Sequence, residues 1–205
     1  GLGDVYKRQE IDLVVNAILD DGVLSVPTDT VYGICARVHS PEAFNKLVEV
    51  KNRPSNKKFP VMCSDIEQIK SIAIVDDKAE RLIRAFMPGP ITLILRKRAD
   101  VFTYINNGGT KETDELAIRM APSIFLKQVI NGVGSPLFMT SANQSGQEIC
   151  KTLDDIERTC PALDGMVEGE VSLGQASTIV DCTGDTIKIQ RRGPISEEEI
   201  MRILK

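Results

Sequence analysis

The sequence predicts an α/β fold, a mixed β-sheet with helices packed on it, in one domain. Three observations lead there. Short β-branched runs alternate with segments of helical apolar period. Several consecutive strand runs lack a helix between them, which excludes a purely parallel sheet. The chain has 205 residues, 42% of them apolar, with no internal repeat or low-complexity linker, enough for one sizeable core.

The elements follow in order. Gly1 to Gln9 fit no period, so residues 1–9 are expected to be disordered or foreign, which leaves room for a missing first strand, with the domain spanning 10–205. Over Glu10 to Asp20, Ile11, Val14, Val15, Ile18 and Leu19 recur at helical spacing, and Gly22 is a plausible stop. Val23 to Val26 and Gly33 to Val38 read as strands. Ser40-Pro41 is an N-cap with proline at the first helical position, opening a helix to about Val50. A basic loop from Lys51 to Lys58 precedes a strand at Phe59 to Cys63 and helices at Ser64 to Ile72 and Asp76 to Phe86. Pro88-Gly89-Pro90 breaks the chain before the β-rich run Ile91 to Leu95.

Arg96 to Asp114, polar and glycine-bearing, reads as a mobile loop. Glu115 to Met120 is a strand, Ser123 to Asn131 a helix, and Pro136 to Thr140 a strand. Thr152 with Asp155 marks a capped helix. Leu163 to Glu168, Ser177 to Cys182 and Thr186 to Gln190 are strands, and Ser196 with Glu199 makes a capping box for the last helix.

A net charge of -4 argues against nonspecific coating of nucleic acid but leaves room for a local basic pocket. Five scattered cysteines without a Cys-x-x-Cys pair, and no secretory segment, point to a reduced cytoplasmic protein whose cysteines are small buried hydrophobes. His39 is the only histidine, which leaves little for a zinc site or a Ser-His triad. No apolar run approaches the roughly 20 residues of a spanning helix, so no membrane partner is expected.

Four polar segments sit beside strand ends, where α/β proteins build ligand sites: Pro27 to Gly33, Lys51 to Pro54, Thr140 to Gly146 and Ser177 to Asp181. No Gly-x-x-x-x-Gly-Lys loop or Gly-x-Gly-x-x-Gly fingerprint is present. Lys51 and Arg53 either balance a helix dipole or project into a cleft, where Arg53 can grip a phosphate bidentately. Thr28, Asp29, Thr30 and Tyr32 form either a self-bonded turn or the lining of a polar pocket. Ser141 and Asn143 make either an Asn turn or an anion or base contact. Arg119, inside an apolar strand, either snorkels or meets a carboxylate. Arg191 ends the last strand with Arg192 and Gly193 and either meets phosphate or is an ordinary polar strand terminus.

In this order, the Pro-Thr-Asp-Thr-Val-Tyr-Gly turn, the Lys-x-Arg-Pro loop, Met87-Pro88-Gly89-Pro90 with Thr92, the Ser-Ala-Asn turn with Ser145-Gly146, and Ser177-Thr178-Ile179-Val180-Asp181 resemble the YrdC-like family of threonylcarbamoyl-AMP synthases. The likeness runs from about Val23 to Gly193. It implies a three-layer YrdC-like fold with a twisted mixed sheet and a large concave cavity. It implies a nucleotidyltransferase: L-threonine, bicarbonate and ATP would give threonylcarbamoyl-AMP and pyrophosphate, for threonylcarbamoyladenosine in tRNA. Magnesium would accompany ATP, and tRNA and the threonylcarbamoyl-transfer machinery would be downstream partners.

By motif, Thr30, Arg119, Ser141 and Ser177 match the family's threonine side, with Tyr32 shaping the wall and Arg119 holding the carboxylate. Lys51, Arg53, Lys57, Asn143, Lys151 and Arg191 match the ATP side. Met62 stands where many members carry histidine, and Pro122 comes three residues after Arg119, where Arg-x-Pro is usual. Pro60 to Cys63 and Gly174 to Thr178 are similar to the YciO-like branch, while the Ser-Ala-Asn turn favours the synthase. The rival expectations are a YciO-like paralogue acting on a related adenylate or modified nucleoside, and an RNA-binding module without catalysis.

Overall fold

The computed structural model describes residues 4–52, 59–105, 114–172 and 174–205. In chain order the elements are β1 (Asp4–Tyr6), α1 (Ile11–Leu19), β2 (Leu24–Pro27), β3 (Tyr32–Arg37), α2 (Pro41–Lys51), β4 (Val61–Cys63), α3 (Ile66–Ile72), α4 (Asp77–Phe86) and β5 (Ile91–Arg96). There follow β6 (Glu115–Met120), α5 (Ile124–Val133), β7 (Leu137–Ser141), α6 (Leu153–Thr159), β8 (Gly165–Val167), β9 (Thr178–Asp181), β10 (Lys188–Arg191) and α7 (Glu197–Leu204), with a 3-10 turn at Thr103–Ile105. The chain divides into two compact units, Gly1–Phe59 with Ser123–Gly174, and Pro60–Pro122 with Gln175–Lys205.

In the first unit the strands run in the order β1-β8-β2-β3-β7. β8 is parallel to both β1 and β2, whereas β2–β3 and β3–β7 are antiparallel. Helix α1 buries Val14, Val15 and Ile18 and packs against α5, which buries Leu126, Val129 and Ile130. Helix α2 is tied down by an aromatic cluster: the Phe44 ring lies 5.5 Å from Phe138 on β7 and 5.9 Å from Phe59. Ring pairs at such spacing add to their area burial, and this cluster holds the first turn of α2 against β7.

In the second unit the order is β4-β6-β5-β9-β10. β4–β6 and β5–β9 are parallel, and β5–β6 and β9–β10 antiparallel. Helix α4 buries Ala79, Leu82 and Ile83, helix α7 buries Ile200, and the two pack together. Both units are therefore mixed sheets with helices, the α/β class expected.

The cap signals hold at atomic level. Ser40 Oγ accepts from the Ala43 amide at 3.1 Å and Thr152 Oγ1 from the Asp155 amide at 3.1 Å. Ser196 and Glu199 complete their reciprocal box at 3.1 and 2.8 Å. Residues 4–6, where the sequence showed no element, form a strand. Three residues are too few to show a period, and β1 exists through its pairing with β8. Within the polar stretch after Arg96, residues 106–113 lie outside the described residues. All five cysteines are free and buried, as their small-hydrophobe reading requires. Among the described residues no helix is long and apolar enough to cross a membrane.

Candidate functional site

Two polar clusters form, one in each unit. The first is centred on the turn after β7. Register places Ser141 opposite Gly33 of β3, and the Ala142 amide donates to the Tyr32 carbonyl at 2.8 Å. Lys51, the last residue of α2, is fully buried. Its Nζ donates to the Ser141 carbonyl and to Asn143 Oδ1, each at 2.6 Å. Ser141 Oγ donates to the same Asn143 oxygen at 2.8 Å, and Asn143 Nδ2 donates to the Gln147 carbonyl at 2.7 Å. A cation at a helix C-terminus is favoured by the dipole, and a buried ammonium persists only when hydrogen-bonded.

The turn returns the favour. Helix C-termini leave carbonyls unpaired. Gln144 Nε2 donates to the Val50 carbonyl at 3.1 Å, and the Ser145 hydroxyl donates to the Lys51 carbonyl at 3.1 Å. The Gln147 amide closes the turn on the Gln144 carbonyl at 2.9 Å with Gly146 at φ 81°, a conformation that favours glycine. Lys51, Ser141 and Asn143 are thus one locked constellation.

Next to it, the β2–β3 turn is self-bonded. Thr28 Oγ1 donates to the Val31 carbonyl at 2.5 Å and accepts from the Thr30 and Val31 amides at 3.3 Å. Thr30 is half-buried, its hydroxyl 3.4 Å from that of Thr28. Tyr32 is buried and its hydroxyl donates to the Gly169 carbonyl at 2.6 Å. Burial, then the Glu168 carboxylate, pushes its phenol up, so it stays protonated and a donor. Ser172 Oγ donates to the Asp29 carbonyl at 2.7 Å, so the segment after β8 is strapped to this turn at two points. Lys151 stands apart: it is exposed, with its amide donating to Asp155 Oδ2 at 3.3 Å.

The second cluster surrounds Ser177, just before β9. Arg191, closing β10, donates from Nε to the Ser177 carbonyl at 2.9 Å and from Nη2 to Ser177 Oγ at 3.2 Å. Ser177 Oγ lies 2.7 Å from Thr92 Oγ1 on β5. Arg119, half-buried on β6 opposite Met62, donates from Nη2 to the Gly89 carbonyl at 2.9 Å. Arg191 is exposed as a residue, but its guanidinium reaches inward. Partial desolvation, then the Arg119 charge, pulls it below its ordinary value. Two guanidiniums near a buried hydroxyl suit an anion such as a carboxylate or phosphate.

Of the residues singled out by sequence, the structure brings together Lys51, Ser141 and Asn143, with Thr30 and Tyr32 on the neighbouring hairpin. Separately it groups Arg119, Ser177 and Arg191. Arg53 and Lys57 lie outside the described residues. Sequence reasoning gave no role to Thr92, Gly169 or Ser172. Thr92 was visible only as part of a motif, and the other two carry no local signal, since their partners are more than a hundred residues away.

The profile of the Sua5/YciO/YrdC family, described as telomere recombination, matches residues 16–193. Threonylcarbamoyl-AMP synthase of Yersinia enterocolitica is 29% identical over 81% of this chain and 89% of its own. That of Bacillus subtilis is 31% identical over 90% of this chain and 54% of its own. The crystal structure of Pyrococcus abyssi Sua5 complexed with L-threonine superposes with a TM-score of 0.87 at 26% identity, covering 100% of this chain and 61% of that one. This chain therefore spans about half of the Bacillus relative and about three-fifths of the Pyrococcus protein. With the profile covering most of its length, the chain belongs to the Sua5/YciO/YrdC family.

Proposed function

We propose that this chain is an L-threonylcarbamoyladenylate synthase, a nucleotidyltransferase that turns L-threonine, bicarbonate and ATP into threonylcarbamoyl-AMP and pyrophosphate. The product would supply threonylcarbamoyladenosine in tRNA through the transfer machinery. The observation that carries this is the likeness, over the whole chain, to a Sua5 structure that holds L-threonine.

The chemistry asks for positioning and charge neutralisation rather than a protein nucleophile. Threonine's amine condenses with bicarbonate to a carbamate, releasing water. A carbamate oxygen then attacks the α-phosphorus, and the bond to pyrophosphate breaks. Thr30, Tyr32, Arg119, Ser141 and Ser177 would form the threonine side, with Arg119 on the carboxylate. Tyr32 would offer its ring as a wall, since its hydroxyl is engaged by Gly169. By the family resemblance, Lys51, Arg53, Lys57, Asn143, Lys151 and Arg191 would serve the nucleotide. Lys51 would act there by holding Asn143 in place.

Magnesium would arrive with the triphosphate. Among the described residues no group of three or more His, Cys, Asp or Glu side chains stands ready to hold a metal ion. Five free, buried thiols fit a reducing, cytoplasmic setting. An RNA-binding module is disfavoured, because the large apolar side chains exposed among the described residues are aliphatic or methionine and offer no stacking ring.

The test is incubation with ATP, bicarbonate and threonine, with mass detection of the adenylate and measurement of pyrophosphate. Threonine-dependent release of both is expected. Pyrophosphate release indifferent to threonine would instead favour a YciO-like paralogue.

A further inference from the structure

We propose that Thr92 is a positioning residue that sets the hydroxyl of Ser177 as a donor toward the carboxylate of threonine; this rests on the synthase function above. Thr92 and Ser177 are both buried, 5% and 6% exposed, and their hydroxyl oxygens are 2.7 Å apart. The hydrogen-bond polarity follows from the partners. A guanidinium can only donate, so Arg191 Nη2, 3.2 Å away, occupies one acceptor position of Ser177 Oγ. Among the described residues the Thr92 hydroxyl makes one hydrogen bond, the one to Ser177. If Ser177 donated to Thr92, the proton of Thr92 would be left buried without an acceptor, which is costly. With Thr92 donating, both acceptor positions of Ser177 are filled, and its own proton must point away from Arg191 and Thr92.

That proton is then available to one kind of ligand atom, an acceptor. A carboxylate oxygen beside the Arg119 and Arg191 charges fits. The chain from Thr92 through Ser177 to the carboxylate has a single direction, and each bond in it polarises the next. A hydroxyl ligand that had to donate would find no free acceptor on Ser177. Thr92 touches no substrate in this scheme and acts only through Ser177.

The experiment compares Thr92→Val, Thr92→Ser and wild type in threonine-dependent pyrophosphate release at saturating ATP and bicarbonate, with thermal melting alongside. Thr92→Val is expected to raise the threonine KM about tenfold with kcat nearly unchanged, as expected for a bond present in ground and transition states alike. Thr92→Ser should restore the wild-type value. In a Ser177→Ala background, Thr92→Val should add nothing further. If Thr92→Val fails to fold, Thr92→Ala serves in the same two backgrounds.

An unchanged threonine KM in a folded Thr92 variant overturns the inference while leaving the synthase assignment intact. So does an equal effect with and without Ser177. A wild-type chain with no threonine-dependent release overturns the synthase assignment and this inference with it.

Discussion

Lys51 Nζ and Asn143 Oδ1 meet at 2.6 Å across 92 residues of sequence, with the lysine entirely shielded from solvent. The ammonium is thereby part of the frame that shapes the Ser141–Gly146 turn. It ties the end of α2 to the end of β7, and the Phe44–Phe138 contact joins the same two elements near the start of α2.

Replacing Lys51 with Met should therefore cost stability as well as activity. The Ser141 carbonyl loses its buried charged donor, and hydrogen bonds to charged groups are worth about 1.5–3 kcal/mol. Lys51→Arg should not rescue, since a planar guanidinium does not fit a cavity shaped to a point charge. Asn143→Asp provides the contrast. Its carboxylate would keep the pairing with Lys51 but lose the donor to the Gln147 carbonyl, and would place a negative charge where the nucleotide is proposed to lie, so activity should fall further than the accompanying loss of stability explains. Urea midpoints and adenylate formation check both, and an unshifted midpoint in Lys51→Met would refute the framing role.

Tyr32→Phe removes the donor to Gly169. The expected loss is about 1 kcal/mol, the net worth of one neutral hydrogen bond. The local effect should be larger than the global one, because the variant loses one of the two described bonds, Tyr32–Gly169 and Ser172–Asp29, that strap the segment after β8 to the turn. Amide exchange at residues 169–172 should speed up in the variant while the strands β3 and β7 stay protected. Uniform acceleration across the first unit would show that Tyr32 serves the core rather than the strap.

What was legible in the sequence was local. Ser40, Thr152 and Ser196 each cap through an amide three residues on, so their chemistry is written within one helical turn. Strand β6 has the bounds its β-rich run predicted. The motifs also marked Lys51, Ser141, Asn143, Arg119 and Ser177 as worth watching. What they could not show was direction. The sequence leaves Lys51 either a dipole-balancing end charge or a cleft cation, and the structure buries it against a turn 92 residues away. Tyr32 and Gly169 meet across 137 residues, and Thr92 and Ser177 across 85, distances over which no period or cap carries information. β1 is invisible for a related reason, being a strand only by virtue of β8.

Gly193 follows β10 where the chain crosses the backbone of Ser177. A Cβ there would lie 2.5 Å from the Thr178 nitrogen, 2.7 Å from the Ala176 carbonyl oxygen and 2.8 Å from the Ser177 carbonyl carbon. All three are main-chain atoms and none can swing aside. Gly193→Ala should cost about 1–3 kcal/mol through overpacking. It should also displace Ser177, and misplacement by about 1 Å can cost about a hundredfold in rate. The catalytic loss should thus exceed what the fraction unfolded explains. Activity that tracks only the folded fraction would separate Gly193 from the site.

Buried thiols make stability sensitive to alkali. Burial pushes Cys35 up to about 12. Burial, then the Asp76 and Asp181 carboxylates, pushes Cys182 up to about 12. Burial, with Asp65 adding to it, pushes Cys63 up as well. In the unfolded chain a thiol ionises near its ordinary value of about 8.5. Below that, both states hold the proton and nothing changes with pH. Between about 8.5 and 12 the folded state holds more protons than the unfolded one, so stability falls as pH rises, by up to about 1.4 kcal/mol per pH unit for each such thiol. Urea midpoints should therefore drop from about pH 8 to pH 10. Cys35→Ala, though less stable at neutral pH, should show a shallower decline by one thiol's share. Alkylation gives an independent reading: native Cys35 should resist a soluble alkylating agent at neutral pH and react once the chain is unfolded, because the thiolate is the nucleophile. Rapid native labelling of Cys35, or an identical alkaline decline without it, would defeat this account of the thiols.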